Sequence, residues 1–250
     1  AMRDRFGAKN ERSWLMRTHV QTAGCSLTEQ QPLNNIVRVA YQAMAGVLGG
    51  CQSLHTDSMD ETLGLPTETA VRVALRTQQI LAHETGVHRT VDPLAGSYFV
   101  ESLTDQMESD ANEIIQEIDG LGGVVQGIHK GYFRRSIAEA SYRFGQEMEA
   151  GDRVIVGVNA YPDGNEDSQV ELLQIPHSVE TIQCERLDAF LKTRDEDKAM
   201  KALDTIRDAA RNDENVMHSL VEASLARCTL GEMVQAMADV FGRYGGGPEW

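Results

Sequence analysis

Residues 15–66, LMRTHVQTAGCSLTEQQPLNNIVRVAYQAMAGVLGGCQSLHTDSMDETLGLP, decide how the rest of the chain is read. Two short polar segments, residues 17–21 and 52–57, bracket one amphipathic helix, and each runs into a loop rich in hydrogen-bonding groups. The order is strand, loop, helix, strand, loop. In parallel α/β proteins, binding sites gather at the carboxyl ends of such strands. This stretch is therefore expected to carry the chemistry and the downstream helices to support it.

Residues 14–20 are short and partly β-branched, which predicts the first strand. A loop follows in which Gly24 permits unusual backbone angles. A helix is expected over Asn34–Leu48. Asn34 or Asn35 would cap it, Ile36, Val39, Ala43 and Val47 contribute to its apolar face, and Gly49-Gly50 stop it. Residues 51–56 give the second strand. A second helix runs from Pro66 or Thr67 to near Gly86, with Val71, Ala74, Leu75, Gln78 and Leu81 at helical spacing.

Beyond residue 97 the alternation ends. Helices are expected near 98–119, 124–130, 132–150, 178–193, 195–211, 214–227 and 229–242, with Asp195 and Thr229 as caps. An apolar strand is expected at 154–159, a polar loop at 161–167 and a loose tail at 245–248. The chain thus divides into β/α units over 1–96 and a mainly helical region over 97–250. Two parallel strands alone lack covered faces and neighbours on both edges. The β/α units therefore read as the last pair of a (β/α)8 barrel whose other strands lie outside this chain. Residues 1–8, a helix end meeting a glycine, agree with a start inside a larger domain.

Composition excludes several function classes. A net charge of −15 repels nucleic acid and anionic membranes, so neither is expected as a partner. No apolar run approaches the roughly 20 residues of a membrane helix, and no signal peptide precedes Arg3, so a soluble, cytoplasmic chain is expected. Cys25, Cys51, Cys184 and Cys228 stand singly, which suits reduced thiols rather than a zinc site. There is no phosphate loop, no G-x-S-x-G and no H-E-x-x-H.

His19 and Gln21 alternate along one strand and so face one side, where they suit a ligand's carbonyl or amide groups. The alternative is a strand-end pair satisfied by backbone. Gln52 and His55 flank the second strand, with Ser53, Thr56 and Asp57 between and after them. Asp57, Asp60 and Glu61 suggest a metal at first sight, but the further ligands a metal needs are absent. Ribose hydroxyls fit three acids better. On spacing alone, acids favoured near a helix N-terminus are the stronger reading.

Taken together, RTHVQTAG (17–24), LTEQQP (27–32) with Asn34-Asn35, QSLHT (52–56) with Asp60-Glu61 and LPT (65–67), and DPLAGSYFVE (92–101) closely resemble the large subunit of coenzyme B12-dependent acyl-CoA mutases. The resemblance runs from Met2 to about Tyr244. It implies a (β/α)8 TIM barrel that takes an acyl-CoA along its axis, with adenosylcobalamin capping one end. It also implies a radical isomerisation of the methylmalonyl-CoA/succinyl-CoA type. Carried over by position, His19 and Gln52 are expected on the substrate. Gln21, Gly24, Asp57, Glu61, Thr62 and Gly64 are expected at the cofactor.

No catalytic residue and no metal ligand is implied within the chain. Many members carry Asn in place of Asp57, and alanines at the positions of Thr62 and Gly64. The implied partners are an N-terminal barrel half, a B12-binding small subunit or domain, and further copies in an oligomer. An isobutyryl-CoA or 2-hydroxyisobutyryl-CoA mutase large subunit is the alternative within the class. A non-catalytic helical assembly module is the alternative outside it.

Overall fold

The computed structural model describes residues 2–162, 164 and 171–246. Parts of the expected loop at 161–167 and tail at 245–248 lie outside these residues. The chain is α/β and mostly helical, and it forms two compact units, residues 1–173 and 174–249.

In the first unit, β1 (His19–Gln21) and β2 (Ser53–His55) pair in parallel, with His19 opposite Ser53, Val20 opposite Leu54 and Gln21 opposite His55. The strands are shorter than the sequence suggests. β1 begins at His19 and not at Trp14, because Trp14 instead closes a 3-10 turn over residues 11–13, capped by Asn10, and turns its indole N–H onto the Ala8 carbonyl. Backbone pairing continues one step past each end, from Gln52 N–H to Thr18 O and from Thr22 N–H to His55 O.

α1 (Asn34–Leu48) connects the strands. Its buried residues Asn35, Val39 and Ala43 fall four apart, as one helix face requires. Gly46 brings the helix close to the sheet: a Cβ there would lie 3.2 Å from Val20 and 3.6 Å from Leu54. Val20 and Leu54 therefore point to α1. The period-2 alternation of a strand turns His19, Gln21, Ser53 and His55 to the other face.

The expected Asn cap is not formed. The cap position is Leu33, which has no capping side chain. Asn35 is instead fully buried, and its carboxamide accepts from Thr28 N–H (3.1 Å) and donates to the carbonyls of Thr28 (2.8 Å) and Met59 (2.9 Å). A group able to satisfy three backbone partners at once does more here than a cap would.

α2 (Glu68–Glu84) buries Ala70, Ala74, Thr77 and Leu81, and the Thr67 hydroxyl caps it by accepting from Ala70 N–H. The helix is joined to β2 by Thr56 Oγ1, which donates to Ala74 O, and by Gln78, which donates to Leu54 O and Thr56 Oγ1. α3 (Tyr98–Gly120), α4 (Val124–His129) and α5 (Tyr132–Ala150) follow. Residues 154–159 are not a strand. Gly157 adopts a left-handed backbone (φ +83°), and the Asn159 side chain closes a turn on Ile155 N–H, Arg153 O and Met148 O. Only one bridge, Val156 with Ala160, remains. The apolar run lacked a partner strand, and its glycine and asparagine favoured a turn.

The second unit contains α6 (His177–Lys192), α7 (Glu196–Arg211), α8 (Met217–Leu225) and α9 (Leu230–Phe241). Ala199, Leu203, Ile206, Ala223, Ala226, Cys228 and Ala236 form its core. Asp195 and Thr229 cap α7 and α9, the latter in a capping box with Glu232. The Arg194 side chain, 5% exposed, grips Glu232 with two bonds of 2.7 Å and Glu196 with bonds of 2.8 and 3.0 Å. It thereby ties together the first turns of α7 and α9.

Those Arg194 bonds, helped by Thr229 and opposed by burial, hold the Glu232 carboxyl down to about 2. A carboxyl depressed in the folded state stabilises the fold above its unfolded value of about 4.3 and loses that contribution as pH falls. Glu232→Gln is therefore expected to lower thermal stability at neutral pH. The gap to wild type should close as pH drops from about 4.3 towards about 2. Melting temperatures measured across that range check this.

Candidate functional site

The carboxyl ends of β1 and β2 bring five of the expected residues into one region. Gln21 leaves β1 and donates from Nε2 to Asp57 Oδ1 at 3.0 Å. His55, the last residue of β2, places Nε2 3.5 Å from the same oxygen. Asp57 itself is pinned from behind, because its N–H donates to the buried Thr22 hydroxyl at 2.9 Å. The Asp57 side chain is wholly buried, and its second oxygen, Oδ2, has no hydrogen-bond partner.

Glu61 completes the wall. Its carboxyl lies where a Cβ on Gly24 would have to go, so only glycine at 24 allows this approach. Burial first, and then the neighbouring Asp57 carboxylate, push the Glu61 carboxyl above the ordinary range, with His55 acting in the opposite direction. An open depression of about 340 Å³ lies beside these groups, lined by Gln21, His55, Asp57 and Glu61 on one side and by Leu75 and Gln78 on the other.

Asp60 plays a different part. It is fully buried, and its Oδ2 accepts from the Thr67 N–H (2.9 Å) and the Thr67 hydroxyl (3.0 Å). Burial raises its pKa, but the bonds from Thr67 and Ser58 outweigh that and leave it lowered. Its backbone carbonyl also receives the N–H groups of Leu63 and Gly64. Asp60 thus shapes the loop that presents Glu61, Thr62 and Gly64, and the reading of these acids as a helix-start device holds for this one. Thr62 and Gly64 are exposed on that loop.

His19 and Ser53 open the two strands as a register pair on the same face as Gln21 and His55, with His19 Nδ1 2.7 Å from Ser53 Oγ. Gln52 is not part of the carboxyl-end group. It precedes β2, where its Oε1 accepts from Thr18 N–H at 2.6 Å and its Nε2 donates to Gly50 O at 3.0 Å. Three residues of strand, about 10 Å, separate it from Gln21.

Sequence reasoning missed Thr22, Gln78 and Asn35 as supports of the site. Gln78 left a signal, since it is a polar residue within the otherwise apolar stripe of α2. Thr22 and Asn35 left none, because their partners are backbone groups 24 to 35 residues away or within a neighbouring loop. Among the described residues no group of three or more His, Cys, Asp or Glu is placed to hold a metal ion, and no helix is long and apolar enough to cross a membrane.

The sequence model of the family described as methylmalonyl-CoA mutase matches residues 1–243. A probable mitochondrial methylmalonyl-CoA mutase of Caenorhabditis elegans is 47% identical over 97% of this chain and 33% of its own length. A methylmalonyl-CoA mutase of Rhizobium meliloti is 46% identical over 98% of this chain and 34% of its own. A 2-hydroxyisobutanoyl-CoA mutase large subunit of Aquincola tertiaricarbonis is 38% identical over 97% of this chain and 43% of its own. The chain spans about a third of the length of the methylmalonyl-CoA mutases it matches. With nearly its whole length matched, the chain belongs to the methylmalonyl-CoA mutase family.

Proposed function

We propose that this chain is the closing part of an acyl-CoA mutase barrel, and that it takes part in the adenosylcobalamin-dependent isomerisation of methylmalonyl-CoA and succinyl-CoA. On this reading residues 1–96 supply the last two β/α units of a (β/α)8 barrel, and residues 97–250 form a helical region behind it. The rest of the barrel and a B12-binding domain or small subunit complete the enzyme, within an oligomer. The two-stranded sheet supports this, since both its outer edges are free for further strands among the described residues.

One observation carries the site: Gln21, Asp57 and Glu61 converge above Gly24 at the strand ends. The donor set fits an organic cofactor with hydroxyl and amide groups. It offers a carboxamide and two carboxyls, brought together where Gly24 leaves room for Glu61. Gln21, Gly24, Thr62 and Gly64 would face the corrin, and Asp57 and Glu61 the ribose hydroxyls. When bound, adenosylcobalamin supplies a carbon radical through homolysis of its cobalt–carbon bond.

The residues of this chain bind, orient and exclude water. His19 rests one nitrogen on Ser53. With the Ser53 hydroxyl donating to Nδ1, the imidazole carries its proton on Nε2 and presents it to the thioester carbonyl. Gln52, anchored at the strand starts, frames the acyl-CoA path on the substrate side. The higher identity to methylmalonyl-CoA mutases than to the 2-hydroxyisobutanoyl-CoA enzyme favours the first substrate over the second.

Gln21→Ala removes both the cofactor contact and the charge-assisted bond to Asp57, an interaction worth about 1.5–3 kcal/mol. Adenosylcobalamin titrated into the assembled protein is expected to bind roughly tenfold more weakly or worse. Unchanged affinity would instead favour a docking module without a cofactor role.

A further inference from the structure

The Asp57 carboxylate has a deficit that its surroundings do not meet. Its side chain is excluded from solvent, Gln21 and His55 both approach Oδ1, and Oδ2 is buried with no donor. Leaving a charged oxygen buried and unpaired is costly, so a donor is expected. The backbone does not supply one at this oxygen.

The elements packed around it narrow the choice. α2 presents Val71, Ala74, Leu75 and Gln78, none of which titrates, and the Gln78 amide is committed to Leu54 and Thr56. β1 presents Gln21, which is neutral and already used. β2 presents His55, which faces Oδ1. Asp60, on the same loop, has an Oδ1 that is likewise buried without a partner, but the bonds from Thr67 to its Oδ2 favour the ionised carboxyl, so it has no proton to give. That leaves Glu61, whose carboxyl is held against Gly24 and lines the same depression as Asp57. Two adjacent carboxylates repel, whereas one proton between them turns the repulsion into a short, charge-assisted O–H···O⁻ bond.

We propose that Asp57 and Glu61 share a single proton, with Glu61 donating to Asp57 Oδ2, and that loss of this proton releases Glu61 from Gly24. Asp57 is then a positioning residue: it holds the Glu61 wall in place only while the pair is singly protonated. The direction in which burial and the Asp57 charge push Glu61 agrees with this. Glu61 is itself an exposed residue, so the proton exchanges with solvent and the released side chain has room to move. The consequence for cofactor binding rests on the function proposed above; the shared proton does not.

The test is infrared spectroscopy of the assembled protein without cofactor, as a function of pH. The C=O stretch of a protonated carboxyl is expected to persist at pH values where ordinary carboxyls have ionised. It should be lost in Glu61→Gln and in Asp57→Asn, each of which supplies an N–H donor in place of the proton. In the wild type, adenosylcobalamin affinity should fall as pH rises through the loss of this band, and in Glu61→Gln it should not. Absence of the band in the wild type, or its survival in both variants, overturns the proposal. Failure of the protein to bind adenosylcobalamin at any pH would count against the cofactor reading alone, since the band is measured without it.

Discussion

Asn35→Ala is expected to destabilise the first unit by about 3 kcal/mol, the sum of three backbone hydrogen bonds at roughly 1 kcal/mol each. Thr28 N–H, Thr28 O and Met59 O all lose their side-chain partner, and Asn35 is itself fully buried. Asn35→Asp separates this explanation from a loss of bulk. An aspartate keeps an acceptor for Thr28 N–H and Arg38, whose Nη1 lies 2.7 Å from Oδ1. It sets a second oxygen against two carbonyls, however, so it should cost about as much as alanine. Thermal or denaturant unfolding of both variants, measured on the same chain as wild type, gives the comparison. Because Met59 opens the loop that carries Asp60 and Glu61, cofactor affinity should weaken along with stability.

Ile206→Ala should cost about 3 kcal/mol in the second unit, within the range found when a buried aliphatic side chain is cut back. Ile206 is completely buried among Ala199, Leu203, Ala223, Ala226 and Ala236. So many alanines leave little side chain able to move into the vacated space, and the cavity should persist. Ile206→Val, which removes one methylene, should cost about 1 kcal/mol. A loss of equal size in both variants would show that the packing is not as tight as this core indicates. Unfolding followed by circular dichroism, dominated by helix signal, reports the difference.

The parts of this molecule that could be read from the sequence are those set by near neighbours. The apolar face of α1 predicted its limits at Asn34 and Leu48, and Thr67, Asp195 and Thr229 were legible as caps because a cap and its target lie three residues apart. What escaped depends on contacts distant in sequence. The apolar run at 154–159 had the composition of a strand but no strand to pair with, and Gly157 and Asn159 fold it into a turn. Asn35 looked like a cap until its position placed it beneath two loops. The site shows the same division. His19, Gln21 and Gln52 were visible as polar residues in strands, yet only the parallel register separates Gln52, at the strand starts, from Gln21 and Asp57 at the ends.

On the proposed function, these strand ends form one wall of an acyl-CoA mutase site. The most direct measurement is conversion of methylmalonyl-CoA to succinyl-CoA by this chain, assembled with the remainder of its barrel and a B12-binding domain, with and without adenosylcobalamin. Turnover is expected only when the cofactor is present, with a clear loss of it in Gln21→Ala. No cofactor-dependent isomerisation of methylmalonyl-CoA by the assembled protein would contradict the proposed function.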